Sequence, residues 1–191
     1  MVVAPYYETL RYLRTVADSV AIPVMLYNIP DATSVNLDPD TVGKLAREQE
    51  NIRYIKDTSA DMAQAGQLIH RHGDVIDTFL GWDSLLLASV AEGAAGVMAG
   101  TANVMAADLV GVHQALTDSD LALARERWAR IYPLMDTLMT GGPFIQGVRA
   151  AMEEIGLPVG PPREPLLPVD DAHRRRIAAA VADLPHLTVR D

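Results

Sequence analysis

Two short apolar segments of this chain end in polar residues that could take part in catalysis. The segment 24–30 contains Tyr27, and the segment 52–59 contains Lys56. Each begins with β-branched and aliphatic residues and is followed by a helical pattern, which is typical of a strand in a parallel α/β sheet. Because α/β enzymes hold reactive groups at the carboxyl ends of such strands, Tyr27 and Lys56 are the first candidates for chemistry.

Lys56 stands at the last position of its apolar run. An ammonium group in a low-dielectric site loses hydration that apolar neighbours cannot replace, so a lysine there is readily deprotonated and can act as an amine nucleophile. The alternative is that the strand stops at Ile55 and Lys56 reaches water, since lysine is seldom fully buried. The lysine alone does not decide between these interpretations.

The two motifs taken together are more specific. Leu-Tyr-Asn-Ile-Pro at 26–30, followed one βα unit later by Tyr-Ile-Lys-Asp-Thr at 54–58, resembles the dihydrodipicolinate synthase / N-acetylneuraminate lyase family of class I pyruvate aldolases. The resemblance implies that Lys56 forms a Schiff base with a 2-keto acid and that Tyr27 relays protons. It implies no metal and no cofactor other than this covalent imine. Asn28 is interpreted as architectural, and Asp57 as a strand-end or cap residue.

The resemblance also implies a set of substrate-binding residues. Thr58 supplies a hydroxyl two residues after the lysine. Apart from the resemblance, Gly100 and Thr101 end the last predicted strand and are candidates because glycine lets a ligand approach the backbone. The remaining members lie in Gly81-Trp82-Asp83-Ser84, where Gly81, Asp83 and Ser84 match a segment that contacts substrate hydroxyls in sugar-acid lyases. Asp83 could equally cap the helix that follows it. Tyr7 is assigned to a proton relay with a neighbouring subunit.

Three readings of the activity remain open. Asp31-Ala32 stands where dihydrodipicolinate synthases commonly carry an arginine, and Thr58 is similar to the sialate lyase and sugar-acid branches. We therefore expect a Schiff-base lyase or aldolase acting on pyruvate or a hydroxylated 2-keto acid, with the sugar-acid type favoured. The alternative within the family is a 4-hydroxy-tetrahydrodipicolinate synthase. The alternative from another class is a truncated, non-catalytic member.

Composition excludes several other classes. The chain has 191 residues, no cysteine and a net charge of −9. Disulfides and thiolate metal sites are therefore unavailable, and a nucleic-acid partner is disfavoured because phosphate binding needs clustered cations. No apolar run suggests a membrane span and no signal peptide is recognisable, so the expected compartment is the cytoplasm. The resemblance implies a homo-oligomer, and His70 and His72 are interpreted as solvated residues at a helix end.

The order of predicted elements indicates an α/β fold of the (β/α)8 TIM barrel family. Strands are predicted at 23–28, 52–56, 75–80 and 95–99, with a stub at 1–4, and helices at 8–20, 60–71, 84–92, 104–116, 119–139, 143–155 and 170–183. A closed barrel needs eight strands. We therefore expect a partial barrel of the last four to five βα units in 1–103. Residues 104–191 are expected to form the last barrel helix and a C-terminal helical extension. On this interpretation the N-terminal third of the family's fold is missing, with its glycine-rich carboxylate-binding loop.

Overall fold

Helices and strands alternate along the first half of the chain. The structure is a computed structural model that describes residues 6–187. It divides into two compact units, the first ending at Met98 and the second starting at Ala99. This division does not test the predicted boundary after residue 103, which stays a prediction. The stub strand predicted at 1–4 lies outside the described residues.

The first unit contains a four-stranded parallel sheet in chain order. Its strands are β1 (Val24–Asn28), β2 (Ile52–Asp57), β3 (Asp77–Leu80) and β4 (Gly96–Val97). Its helices are α1 (Tyr6–Asp18), α2 (Pro30–Thr33), α3 (Pro39–Glu48), α4 (Met62–His72) and α5 (Leu86–Glu92), with a 3₁₀ turn at Asp83–Leu85. Asp38 and Asp61 cap α3 and α4 by accepting hydrogen bonds from backbone N–H groups of the first turn.

The two faces of this sheet differ in burial. Leu26, Ile55 and Leu80 point to one face and are fully enclosed, in cores that include residues of α3 and α4. Since successive strand residues point to opposite faces, Tyr27 and Lys56 emerge on the other face, where side chains keep part of their surface exposed. The helix-covered face therefore holds the buried core, and the opposite face carries the two candidate side chains.

The second unit is helical. It contains α6 (Ala102–Thr117), α7 (Leu121–Thr140), α8 (Phe144–Glu154), α9 (Asp171–Ala182) and a 3₁₀ turn at Pro185–Leu187. These helices agree with the prediction to within two residues at each end. The connector between α8 and α9 is non-helical, as its prolines require. The guanidinium of Arg149 holds it by donating to the carbonyl oxygens of Val159, Gly160 and Pro161 at 2.6–3.2 Å.

The first unit departs from the prediction in three places. Helix α1 starts at Tyr6, two residues before the predicted start at 8, so Tyr7 is helical. The segment 31–34, which lies between the predicted elements, is largely the single turn α2, which Pro30 opens with its fixed φ. The strands at 75–80 and 95–99 are shorter than predicted, although hydrogen bonds from Ala95 N to Thr78 O (2.9 Å) and Met98 N to Leu80 O (2.8 Å) extend their pairing.

His72 also differs from the prediction. It is buried and not solvated, because its ring lies against Gly43, which has no side chain to exclude it. His70 is exposed and lies 2.9 Å from Glu92. Among the described residues, no helix combines the length and the apolar composition that crossing a membrane requires.

Candidate active site

Tyr27 and Lys56 lie side by side at the carboxyl ends of β1 and β2. The parallel register pairs them directly. The Nζ atom of Lys56 donates to the Tyr27 hydroxyl at 3.2 Å and lies 4.2 Å from the centre of the Tyr27 ring. Lys56 is partly buried, and Tyr27 is 51% exposed. The amine is thus held by a phenol and its ring at an accessible surface, where a small molecule can reach both groups.

Gly81 makes room for the lysine. It follows β3, and a Cβ atom placed on it would lie 2.5 Å from Cε of Lys56 and closer still to Oγ1 of Thr58. Any side chain at 81 would therefore displace both neighbours. The predicted substrate-binding role of Gly81 is untested, but the glycine has a steric role that the sequence did not reveal.

Thr58 lies beside the lysine with a buried hydroxyl. Its Oγ1 has no hydrogen-bond partner within the described residues. Its backbone N–H donates to Asn28 O at 2.8 Å, so the β1–β2 ladder continues past the strand ends. A buried hydroxyl without a partner costs free energy, and a ligand oxygen at this position would remove that cost.

Asp83 and Ser84 stand in the 3₁₀ turn that follows Gly81. Asp83 is buried and Ser84 partly buried. The N-cap position of this turn is taken by Trp82 and not by Asp83. The predicted contact of Asp83 and Ser84 with substrate hydroxyls stays a prediction.

Gly100 and Thr101 belong to the second unit. Gly100 O accepts hydrogen bonds from the backbone N (3.2 Å) and the side-chain Nδ2 (2.7 Å) of Asn103. Thr101 is buried at the N-cap position of α6, and Gly100 lines a 330 Å³ cavity with Phe144 and Val148. Their predicted role as substrate-binding residues is likewise untested.

Tyr7 is 66% exposed in the first turn of α1, where its hydroxyl donates to Glu8 at 3.3 Å. An exposed phenol is available to a neighbouring subunit, and the predicted relay stays a prediction. Within residues 6–187, no group of three or more His, Asp or Glu side chains is arranged so that it could hold a metal ion.

The sequence contains only two lysines, Lys44 and Lys56. Lys44 lies on α3 with its side chain 61% exposed and 3.9 Å from Glu48. Lys56 is therefore the one lysine that lies beside a phenol. This contrast makes Lys44 an internal reference for the chemistry of Lys56.

Sequence reasoning missed a buried polar cluster beneath the two candidates. Asn28 donates through Nδ2 to Oδ1 of Asp57 at 2.8 Å, joining β1 to β2 on the helix-covered face. Both residues are almost wholly buried. The signal was present, since polar residues directly follow Tyr27 and Lys56 in both motifs, but only the register shows that they face each other.

Comparison with known proteins relates this chain to one family. The model of the dihydrodipicolinate synthetase family matches residues 1–184. A 4-hydroxy-tetrahydrodipicolinate synthase of Thermomicrobium roseum is 35% identical over 97% of this chain and 63% of its own length. An uncharacterised DapA-like lyase of Halobacterium salinarum is 36% identical over 96% of the chain and 62% of its own length.

Solved structures give the same result. Dihydrodipicolinate synthase from Aquifex aeolicus superposes with a TM-score of 0.89 at 29% identity, over 98% of this chain and 64% of that one. The prophage protein YagE of E. coli K12, solved in complex with pyruvate, superposes with a TM-score of 0.85 at 29% identity, over 95% of this chain and 62% of that one. The predicted fold class, a partial (β/α)8 barrel, is confirmed, and the chain spans less than two thirds of the length of these relatives. On these matches, the chain belongs to the dihydrodipicolinate synthetase family.

Proposed function

We propose that the chain carries out Schiff-base chemistry on pyruvate or a related 2-keto acid. The observation that carries this proposal is the 3.2 Å contact between Lys56 Nζ and the Tyr27 hydroxyl at adjacent strand ends. A primary amine beside a phenol provides the nucleophile and the proton relay that imine formation needs.

The proposed reaction begins with the neutral amine of Lys56 attacking the keto carbon. Tyr27 passes one proton to the carbonyl oxygen and relays a second one from the attacking amine, so the oxygen leaves as water and the product is a protonated imine. The positive nitrogen withdraws electrons, so the neighbouring carbon loses a proton and an enamine forms. The enamine carbon then bonds to an aldehyde carbon, and hydrolysis of the new imine frees Lys56. In the reverse direction, cleavage of the same carbon–carbon bond yields the enamine and the aldehyde.

Between the two family activities, the names of the relatives favour the synthase. The Thermomicrobium roseum and Desulforudis audaxviator relatives, at 35% and 36% identity, are 4-hydroxy-tetrahydrodipicolinate synthases. We therefore place this reaction ahead of the sugar-acid type that the sequence favoured. The sugar-acid lyase stays as the second candidate because the Thr58 hydroxyl has no hydrogen-bond partner among residues 6–187 and α2 carries Asp31 and no arginine.

Borohydride trapping with pyruvate tests the proposal directly. Reduction of an imine leaves a stable adduct, and with only two lysines in the chain, peptide mass mapping assigns it without ambiguity. We expect the adduct on Lys56, unchanged in Lys44→Arg and lost in Lys56→Arg. A folded chain that gives no adduct on Lys56 would favour the non-catalytic alternative.

A second assay separates the two activities. Release of pyruvate from hydroxylated sugar-derived 2-keto acids would support the lyase, whereas formation of 4-hydroxy-tetrahydrodipicolinate would support the synthase. We also propose a homo-oligomer, in which the exposed Tyr7 faces a neighbouring subunit. Light scattering of the purified chain measures its mass in solution.

A further inference from the structure

We propose that Asn28 and Asp57 are positioning residues that hold Tyr27 opposite Lys56 and thereby set the geometry of the amine. Neither side chain shares a face with the two candidates. The inference rests on the proposed function for its catalytic consequence, whereas the alignment itself can be measured without catalysis.

The register places the two pairs in consecutive rows. Tyr27 is opposite Lys56, and Asn28 is opposite Asp57. The 2.8 Å bond from Asn28 Nδ2 to Asp57 Oδ1 crosses between the strands one residue after the reactive pair. A bond between side chains at this row opposes any slip of β1 against β2, and a slip of one residue would send Tyr27 to the other face.

The Asp57 carboxylate is held by further donors. Ser59 donates to Oδ1 through its backbone N (3.2 Å) and to Oδ2 through Oγ (2.9 Å). Gln64 Nε2, from α4, lies 3.3 Å from both oxygens. A fully buried carboxylate needs this many donors, and because they come from β1, α4 and its own loop, its position is fixed from three directions.

Asn28 is fixed from the opposite side. Its Oδ1 accepts from the backbone N of Leu37 at 3.0 Å, and its Nδ2 also donates to Asn36 Oδ1 at 2.8 Å. Asn36 in turn donates to Gln64 at 2.8 Å. The cluster of Asn28, Asn36, Asp57, Ser59 and Gln64 is therefore closed, and each member restricts the others.

The cluster acts on the reactive pair through the backbone. Thr58 N donates to Asn28 O and Gly81 N donates to Asp57 O, both at 2.8 Å, so the same two residues also anchor the ends of the backbone ladder. Tyr27 and Lys56 are the residues immediately before these anchors. Their side chains can keep the 3.2 Å contact only while the ends of β1 and β2 stay in register.

The test compares Asn28→Ala with a matched variant, Asn51→Ala. Asn51 precedes β2 at its opposite end, and its Nδ2 donates to the carbonyl oxygens of Ala17 (2.8 Å) and Val20 (3.0 Å). Both variants delete an asparagine side chain with its hydrogen bonds in the same unit. Only Asn28→Ala removes the bond between the strand ends. Asn28→Ser, which leaves room for a water beside Asp57, is the second variant should the alanine chain not fold.

The direct readout is the NMR signal of the lysines after reductive methylation with labelled formaldehyde. Methyl groups on Lys56 above the Tyr27 ring are shifted upfield by the ring current, whereas those on exposed Lys44 are not. We expect the Lys56 shift to collapse toward the Lys44 position in the Asn28 variants and to be retained in Asn51→Ala. The Tyr27→Leu variant, which lacks the aromatic ring, gives the chemical shift of the Lys56 methyl groups without a ring current.

The catalytic readout uses unmodified chains. At saturating pyruvate we expect borohydride trapping on Lys56 to slow about 10- to 100-fold in the Asn28 variants, because displacements of about 1 Å cost rates of this order. Asn51→Ala should trap as fast as the parent chain. If the proposed function is wrong, the parent chain will show no trapping on Lys56 although its Lys56 methyl signals keep the ring-current shift. This result differs from a failure of the positioning role.

Three outcomes would overturn the positioning role. One is a Lys56 shift and a trapping rate that remain at parental values in a folded Asn28 variant. The second is an equal loss in Asn28→Ala and Asn51→Ala, and the third is failure of both Asn28 variants to fold. Either of the last two would assign the cluster to general stability alone.

Discussion

Gly81 and Lys56 occupy the same small space, with the position of a Cβ on Gly81 only 2.5 Å from Cε of Lys56. Gly81→Ala should therefore displace the lysine from Tyr27 and lower stability by about 1 to 3 kcal/mol, the usual cost of overpacking. Trapping of pyruvate on Lys56 should slow at least about 10-fold, by the same misplacement argument. Urea unfolding and borohydride trapping measure the two effects.

Gly66→Ala is the matched control for this change. Gly66 lies inside α4, where a Cβ would meet only Glu92 Oε1 at 3.5 Å, an ordinary contact. Because alanine is favoured over glycine in a helix by about 1 kcal/mol, this variant should be as stable as the parent or more so. Equal trapping rates in the two variants would contradict the steric role of Gly81.

Tyr27→Phe separates the ring from the hydroxyl. The ring keeps its attraction for the ammonium, worth about 0.5 to 1 kcal/mol at an exposed site, so the lysine should stay in place. Loss of the hydroxyl removes the proposed proton relay. Exchange of the pyruvate methyl protons with deuterium should then fall about 100- to 10,000-fold, and trapping on Lys56 should slow as well, because Tyr27 also relays protons in imine formation. Undiminished exchange, followed by NMR, would remove Tyr27 from the proposed mechanism.

Asp170 should make the second unit sensitive to acid. Its pKa lies below the ordinary 3.8, chiefly because the carboxylate accepts the backbone N–H of His173 at the start of α9, with a further contribution from the Arg176 cation. A lowered folded-state pKa contributes stability above the unfolded-state value, and this contribution is lost as the pH falls through the folded-state value.

Asp170→Asn tests this dependence. Asparagine caps a helix as well as aspartate does, so the variant loses the charge and keeps the cap. The parent should be the more stable chain at neutral pH, and the difference measured by urea unfolding should shrink as the pH falls below 3.8. Asp171→Asn changes the net charge equally at a residue that is not the N-cap. A difference that does not vary with pH would contradict the prediction.

Arg149→Met should loosen the connector between α8 and α9. The guanidinium spans three consecutive carbonyl oxygens, and losing these bonds should cost about 1 to 2 kcal/mol because the site is exposed. Limited proteolysis should cut within 157–165 sooner than in the parent. Arg163→Met removes an exposed arginine of the connector itself and should leave the cutting rate unchanged.

The sequence was sufficient to predict the strands and helices that carry the candidates. β1, β2 and the long helices have clear periodicity, and their ends were placed to within about two residues. The single turn α2 was missed because four residues give no periodicity, although Pro30 indicated a helix start. The burial of His72 was missed because it depends on Gly43, which is distant in sequence and adjacent only in the fold.

The sequence predicted the candidate site only in part. Tyr27 and Lys56 could be paired because their motifs end successive strands. The steric role of Gly81 could not be predicted, since it depends on where the Lys56 and Thr58 side chains lie after folding. The bond between Asn28 and Asp57 depends on the register of two strands, which neither motif specifies alone.

The separation of the two sheet faces has a consequence for how such a chain evolves. The partly exposed face carries Tyr27 and Lys56, while the bond between Asn28 and Asp57 lies on the buried, helix-covered face. Positions around Lys56 can therefore change during divergence without disturbing the bond that aligns β1 with β2. Variation on one side of the strands is thus separated from the contacts that hold the strands in register on the other.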